Sequence, residues 1–322
     1  MTKEISEDIR LKNFSISFFS ITLGLIGYAL VLQKAEHILK LFHCYAYVLY
    51  LTIAVFTIIL TIYLIKVFNY PEELKKELEH PIKINFFPIL AKIILIASII
   101  YLNINMQISR VLWIIGTILQ LSFSIIVLSI WLKNSKIEYH HMNPAWFIPI
   151  VGNVIVPIAG IKHGFVEISW FFFSIGLIMW LTLFVIVFNR LIFHDPIPEK
   201  LIPTFFILFA PPAIAFIAYV NLTGLIDPFS RILYYISLFL LIFIFAQVKM
   251  FSRIKFYLSW WAYSFPMSAI TIATMLMYHK TGYVFFKILA FILLIILSLI
   301  ISYLAYRTSK AIIYRELCVN EE

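Results

Sequence analysis

Residues 143–160 read NPAWFIPIVGNVIVPIAG. The stretch carries no charge and is long and apolar enough for a bilayer crossing. Yet Pro157 interrupts a regular helix through it. A proline inside a helix removes one donor and frees the carbonyl four residues earlier; for Pro157 that is Asn153. In lipid such a carbonyl must find a partner, so a broken helix is tolerated where it faces protein or a wet cavity. A broken, apolar, membrane-length segment therefore belongs in the interior of a membrane bundle.

The same reading extends outward along the chain. Hydropathy marks ten apolar stretches, centred near residues 23, 55, 94, 121, 154, 179, 211, 240, 268 and 295. Every proline inside such a stretch falls in an odd-numbered one: Pro88, Pro149, Pro157, Pro203, Pro211, Pro212 and Pro266. Pro88, Pro149 and Pro203 lie near the first turn of their segments, where proline is harmless. Pro157, Pro211, Pro212 and Pro266 lie deeper. The first stretch has no proline but carries Gly24 and Gly27, and the even stretches contain only Gly116 and Gly176. The expected architecture is all-α and integral to the membrane. Ten transmembrane helices pair as five helical hairpins, and an inner ring of kinked odd helices lines a central pore braced by straight even ones.

Composition agrees. The 322 residues are 63% hydrophobic and 13% charged, more apolar surface than a soluble domain can bury. Ten spans of about 20 residues leave only short connections, so residues 1–322 read as a single transmembrane domain with short tails. The head mixes acids and bases, and the first apolar stretch is long enough to remain as an anchor rather than be cleaved. With the N-terminus inside, 17 Lys and Arg fall on the inner side and seven on the outer. That bias places both termini in the cytoplasm, in a plasma (inner) membrane protein. The net charge of +9 is thereby a topology signal and not a nucleic-acid footprint. Cys44 and Cys318 suggest neither a disulfide framework nor a metal site, and no cofactor is expected. Glu138, His140 and His141 lack a further ligand cluster. An enzyme built around the two histidines is a rival reading that would need an acid, a base and a nucleophile in one cavity. The EELKKELE run within residues 69–83 reads as a short surface helix with charge pairs at i, i+3 and i+4.

Small and polar residues follow the odd segments. Ser17, Ser20, Gly24 and Gly27 share one face of the first; Ser264, Ser268 and Thr271 share one face of the ninth; Gly152, Asn153 and Gly160 add to the fifth. Such stripes serve either close helix packing or the wall of a channel. No Asp or Glu lies within any apolar stretch, which argues against a cation pathway or a carboxylate relay. Lys92 is the single charge deep in a stretch, four residues after Pro88. It is either a fixed positive charge in an anion pore or a lysine snorkelling about 12 Å to the interface.

The ninth stretch contains WWAYSFPMSAITIAT, residues 260–274. This resembles the slow-type anion channels of plant guard cells and their microbial relatives in the tellurite-resistance/dicarboxylate transporter family. The NP…VGN pattern of residues 143–153 and the EHP of residues 79–81 are similar to that family too, and the likeness spans the whole ten-segment layout. It implies a quasi-fivefold arrangement, a homotrimer with one pore per subunit, and a pore-blocking phenylalanine gate at Phe265. The expected function is passive conduction of small monovalent anions such as chloride or nitrate. The alternative in the same fold is a carrier for C4-dicarboxylate, sulfite or tellurite-like oxyanions. The expected partners are small anions and the lipid bilayer, and no nucleic acid. Lys92 and the Pro211-Pro212 pair are features the family pattern does not account for.

Overall fold

The computed structural model describes residues 7–41, 43–134, 137–251 and 254–318. Among them every regular element is helical. Helix α1 (Glu7–Lys12) leads into a 3₁₀ turn and α2 (Phe19–Leu39), then α3 (Tyr45–Asn69). The surface helix α4 (Pro71–Glu79) follows, with Glu73 and Lys76 paired at 2.8 Å as the charge spacing predicts. Next come α5 (Ile89–Tyr101) and α6 (Met106–Lys133), then the fifth segment in short pieces that include α7 (Ile148–Val151) and α8 (Val156–Gly160). After these run α9 (Val166–Phe193), α10 (Ala210–Thr223), α11 (Pro228–Ala246), α12 (Val248–Phe251), α13 (Ser264–Thr281) and α14 (Val284–Ile313).

Local chemistry sets the ends. The Asn105 side chain accepts from the backbone N–H of Gln107 and Ile108 at the start of α6. Asp227 does the same for Ser230 at the start of α11, followed by Pro228 in the first turn. Gly224 and Gly282 close α10 and α13 at φ 76° and 72°, a left-handed turn that other residues resist. The polar KAEH run at residues 34–37 lies inside α2.

Among the described residues, eight helical segments are long and apolar enough to cross a membrane: Ile16–Leu39, Tyr45–Asn69, Lys83–Tyr101, Met106–Lys133, Val166–Phe193, Glu199–Thr223, Pro228–Ala246 and Val284–Ile313. The fifth and ninth stretches do not qualify. The fifth is chopped into short helical pieces, and the ninth is diluted by Ser, Thr, Trp and Tyr.

Two populations are visible in burial. In the first, third and seventh segments, 72% to 89% of the most apolar window is buried, against 22% to 39% in the even-numbered helices. The odd segments touch in a closed cycle: α2 with α5, α5 with α8, α8 with α10, α10 with α13, and α13 back to α2. Each even helix (α3, α6, α9, α11, α14) packs on the odd segment that precedes it. The first and last described helices meet on one face, where the Arg10 guanidinium donates to the Arg315 carbonyl at 2.9 Å.

The breaks take a specific form. Each odd segment opens with a 3₁₀ stretch: Ile16–Phe18, Lys83–Phe86, Pro144–Phe147, Glu199–Phe209 and Leu258–Tyr263. The deep prolines sit just after such stretches and not inside long α-helices. Pro157 lies in the first turn of α8, Pro211 and Pro212 in the first turn of α10, and Pro266 is the third residue of α13. First-turn N–H groups have no intrahelical partner, so proline costs little there.

Candidate functional site

The five odd segments converge on a small cavity of about 40 Å³. The first contributes Ser20 and Leu23; the third, Phe86, Ile89 and Lys92; the fifth, Ile148 and Val151. The seventh adds Thr204, Ile207 and Ala210, and the ninth adds Ser259, Trp261, Ala262, Phe265 and Pro266. That volume holds a few water molecules and is too small for an ion that keeps its full hydration shell. The wall is apolar except for three hydroxyls and the Lys92 amine, and no carboxylate lines it.

Lys92 is 2% exposed and borders this cavity instead of extending to the surface. Its backbone N–H bonds to the Pro88 carbonyl at 3.2 Å. Thr204 turns its hydroxyl onto the Leu201 carbonyl at 2.6 Å, and Ser259 onto the Lys200 carbonyl at 2.5 Å. Trp261 is fixed from behind, its indole N–H donating to Thr308 Oγ1 of α14 at 2.9 Å. Phe265, half-buried in the first turn of α13, presents its ring to the cavity. Helical geometry begins at Ser264, so Pro266 leaves Phe265 within the helix.

The other small residues of the odd segments do different work. A Cβ on Gly24 would run into Ser264 Oγ and sit 2.7 Å from Trp261 Cε3. One on Gly27 would lie 3.1 Å from Ser268 Oγ and 3.3 Å from Phe265 Cδ2. These glycines let the first segment press against the ninth. Ser264 and Ser268 bond back to the carbonyls of Trp261 and Ser264 at 2.5 and 3.0 Å. Gly152 makes room for the Gln120 side chain. Ser17 is half-buried outside the cavity, and Pro88, Pro157, Pro211 and Pro212 are buried at the starts of α5, α8 and α10.

The carbonyls of the broken fifth segment find protein partners. Gln120 Nε2 and Ser124 Oγ of α6 donate to the Pro149 carbonyl at 2.8 and 3.2 Å. Trp113 Nε1 donates to the Val156 carbonyl at 2.9 Å. The Asn153 amide bonds Ser124 Oγ and the Ile150 carbonyl, each at 3.1 Å. In the seventh segment Ser237 Oγ of α11 takes the Phe209 carbonyl at 2.7 Å. Straight helices thus supply the donors that broken ones require.

The surroundings of His80, just before the third segment, are positive. Burial, then Lys83, Lys200 and His141, hold His80 below the ordinary histidine range. The carboxylate of Glu77, which the sequence suggests is part of a charged surface helix, is instead buried. It accepts from the Ile16 N–H at 3.1 Å and from the Tyr63 hydroxyl at 2.8 Å, and lies 3.2 Å from Lys66 Nζ. Lys66 also donates to the Phe14 carbonyl at 2.8 Å. Neither Lys66 nor Glu77 stands out in the sequence, because a charge in a connection ordinarily reads as solvated. The apolar cavity residues, such as Leu23, Ile148 and Ile207, were equally silent among so many of their kind.

Residues 13–309 match the family model described as SLAC1, voltage-dependent anion channel. The chain is similar to the S-type anion channel SLAH3 of Arabidopsis thaliana, 29% identical over 97% of this chain and 50% of that protein. It is likewise similar to an uncharacterized transporter of Methanocaldococcus jannaschii, 29% identical over 85% of this chain and 87% of the relative. A tellurite resistance protein TehA homolog of Haemophilus influenzae is 23% identical over 91% of this chain and 90% of its own length. The chain therefore spans about half the length of the plant relative and most of the microbial ones.

Proposed function

The chain belongs to the SLAC1 family of voltage-dependent anion channels, and from that premise we propose that it is a passive anion channel. Small monovalent anions such as chloride or nitrate move down their gradient through a conduit at the centre of each subunit. The observation that carries this reading is the cavity shared by all five odd segments, bordered by one lysine amine and no carboxylate. Protonating a buried lysine with no counter-charge is costly, and a passing anion offsets that cost while a cation adds to it. Lys83 and Lys200, both close enough to act on His80, favour the approach of an anion.

In this reading the ten apolar segments all cross the bilayer as five hairpins, and three subunits associate. Both termini face the cytoplasm of a plasma-membrane protein, on the Lys and Arg bias of the connections. Phe265 is the gate: its ring borders a cavity of about 40 Å³, and a narrow apolar constriction stops ions by making their desolvation unfavourable.

The test is recording from the purified protein in planar bilayers under chloride and nitrate gradients. Unitary events whose reversal potential follows the anion gradient support the channel. Saturable, coupled uptake of a dicarboxylate or an oxyanion without unitary events would replace it by a carrier. The similarity to a protein named for tellurite resistance keeps that second reading in view.

A further inference from the structure

A groove of about 640 Å³ runs between the surface helix α4 and the last two turns of α6, sharing no lining residue with the central cavity. Its α6 wall presents Ile126, Ile130 and Lys133, and its α4 wall presents Leu78 and Lys75. Ile126, Ile130 and Lys133 recur at the spacing of one helix face, so the wall passes from apolar to cationic over about 10 Å toward the helix end. The outer surface beside it is open and apolar, with Ile125 57% and Leu132 88% exposed. Glu79 also borders the groove, so its described lining carries two ammonium groups to one carboxylate. The α4 wall is held in place from behind, through buried Glu77 and its bonds to Tyr63 and the Ile16 N–H.

We infer that this groove binds an anionic phospholipid, with the headgroup phosphate between Lys75 and Lys133 and an acyl chain along Ile126 and Ile130. The shape and charge gradient suit an amphiphile. At the end of an apolar membrane helix the abundant amphiphile is lipid, and basic pockets at that level favour acidic headgroups. The position also gives the lipid leverage on the pore. The helix it leans on is tied to Ile16, four residues before Ser20 at the cavity. The site depends on the chain being a multi-pass membrane protein and not on the conduction pathway, so it stands or falls separately from the channel reading.

The full chain, purified in mixed micelles, is offered phosphatidylglycerol and phosphatidylcholine of identical acyl chains, and retained lipid is counted by native mass spectrometry. The expected result is preferential retention of phosphatidylglycerol, falling about five-fold for each of Lys75→Gln and Lys133→Gln. Lys76→Gln, whose ammonium is engaged by Glu73, is expected to change nothing. Equal retention of the two lipids by the unaltered chain, or an equal loss in Lys76→Gln, overturns the inference. So does disulfide cross-linking of two copies through Ser129→Cys, which would mean that a second copy covers the groove.

Discussion

Among 31 phenylalanines, Phe265 is set apart by its place: it borders the cavity and rests against the space that Gly27 leaves open. If its ring is the barrier, Phe265→Ala raises anion conductance at least several-fold in bilayer recordings while the protein melts as before. An unchanged current from a folded variant removes the ring from the gating step. Lys92 is tested by selectivity and not by current size. Lys92→Ala lowers anion-over-cation preference, so the reversal potential in a salt gradient moves toward zero; an unmoved potential removes the lysine from ion choice. Phe265 was singled out in the sequence only by the family resemblance that the SFP run carries; without it, nothing separates this ring from the other phenylalanines. Lys92 was legible as the one deep charge, but whether it snorkels or turns inward depends on neighbours from four other segments.

At the scale of the element, the alternation of broken and straight helices has a division of chemical labour behind it. The fifth segment abandons regular α geometry, and side chains of Trp113, Gln120 and Ser124 on α6 complete its hydrogen bonding. Freed carbonyls in these segments therefore point to protein neighbours as much as to any conduit. Gln120→Leu leaves the Pro149 carbonyl with Ser124 alone and is expected to destabilise the fold by about 1–3 kcal/mol, read as a lowered thermal transition in detergent. Close packing of the first and ninth segments sets a second constraint. Gly24→Ala drives a methyl group against Ser264 and Trp261, a strain of about 1–3 kcal/mol. Thermal melting checks it, and an unaltered transition would show that the ninth segment yields freely.

Across the whole molecule, the closed cycle of odd segments is held at one face by the buried Glu77–Lys66 pair, which links α4, α3 and the chain entering α2. The exposures of the two side chains are 4% and 2%, so removing one charge strands the other. Glu77→Ala is expected to cost about 3–5 kcal/mol; a loss below 1 kcal/mol in thermal melting would mean that the cluster is wet.

The sequence alone determined the membrane class, the helical fold, the odd–even alternation and the family resemblance. These follow from hydropathy, proline placement and a local motif, all of which are written in consecutive residues. Only the tertiary structure decided which polar and small residues face the cavity and which are spent on contacts. Ser20 and Lys92 reach it, whereas Gly24, Gly152 and Asn153 are taken up by Ser264, Gln120 and Ser124. The physical reason is that a side chain's role depends on the partner opposite it, and here that partner comes from another segment whose register no local pattern records.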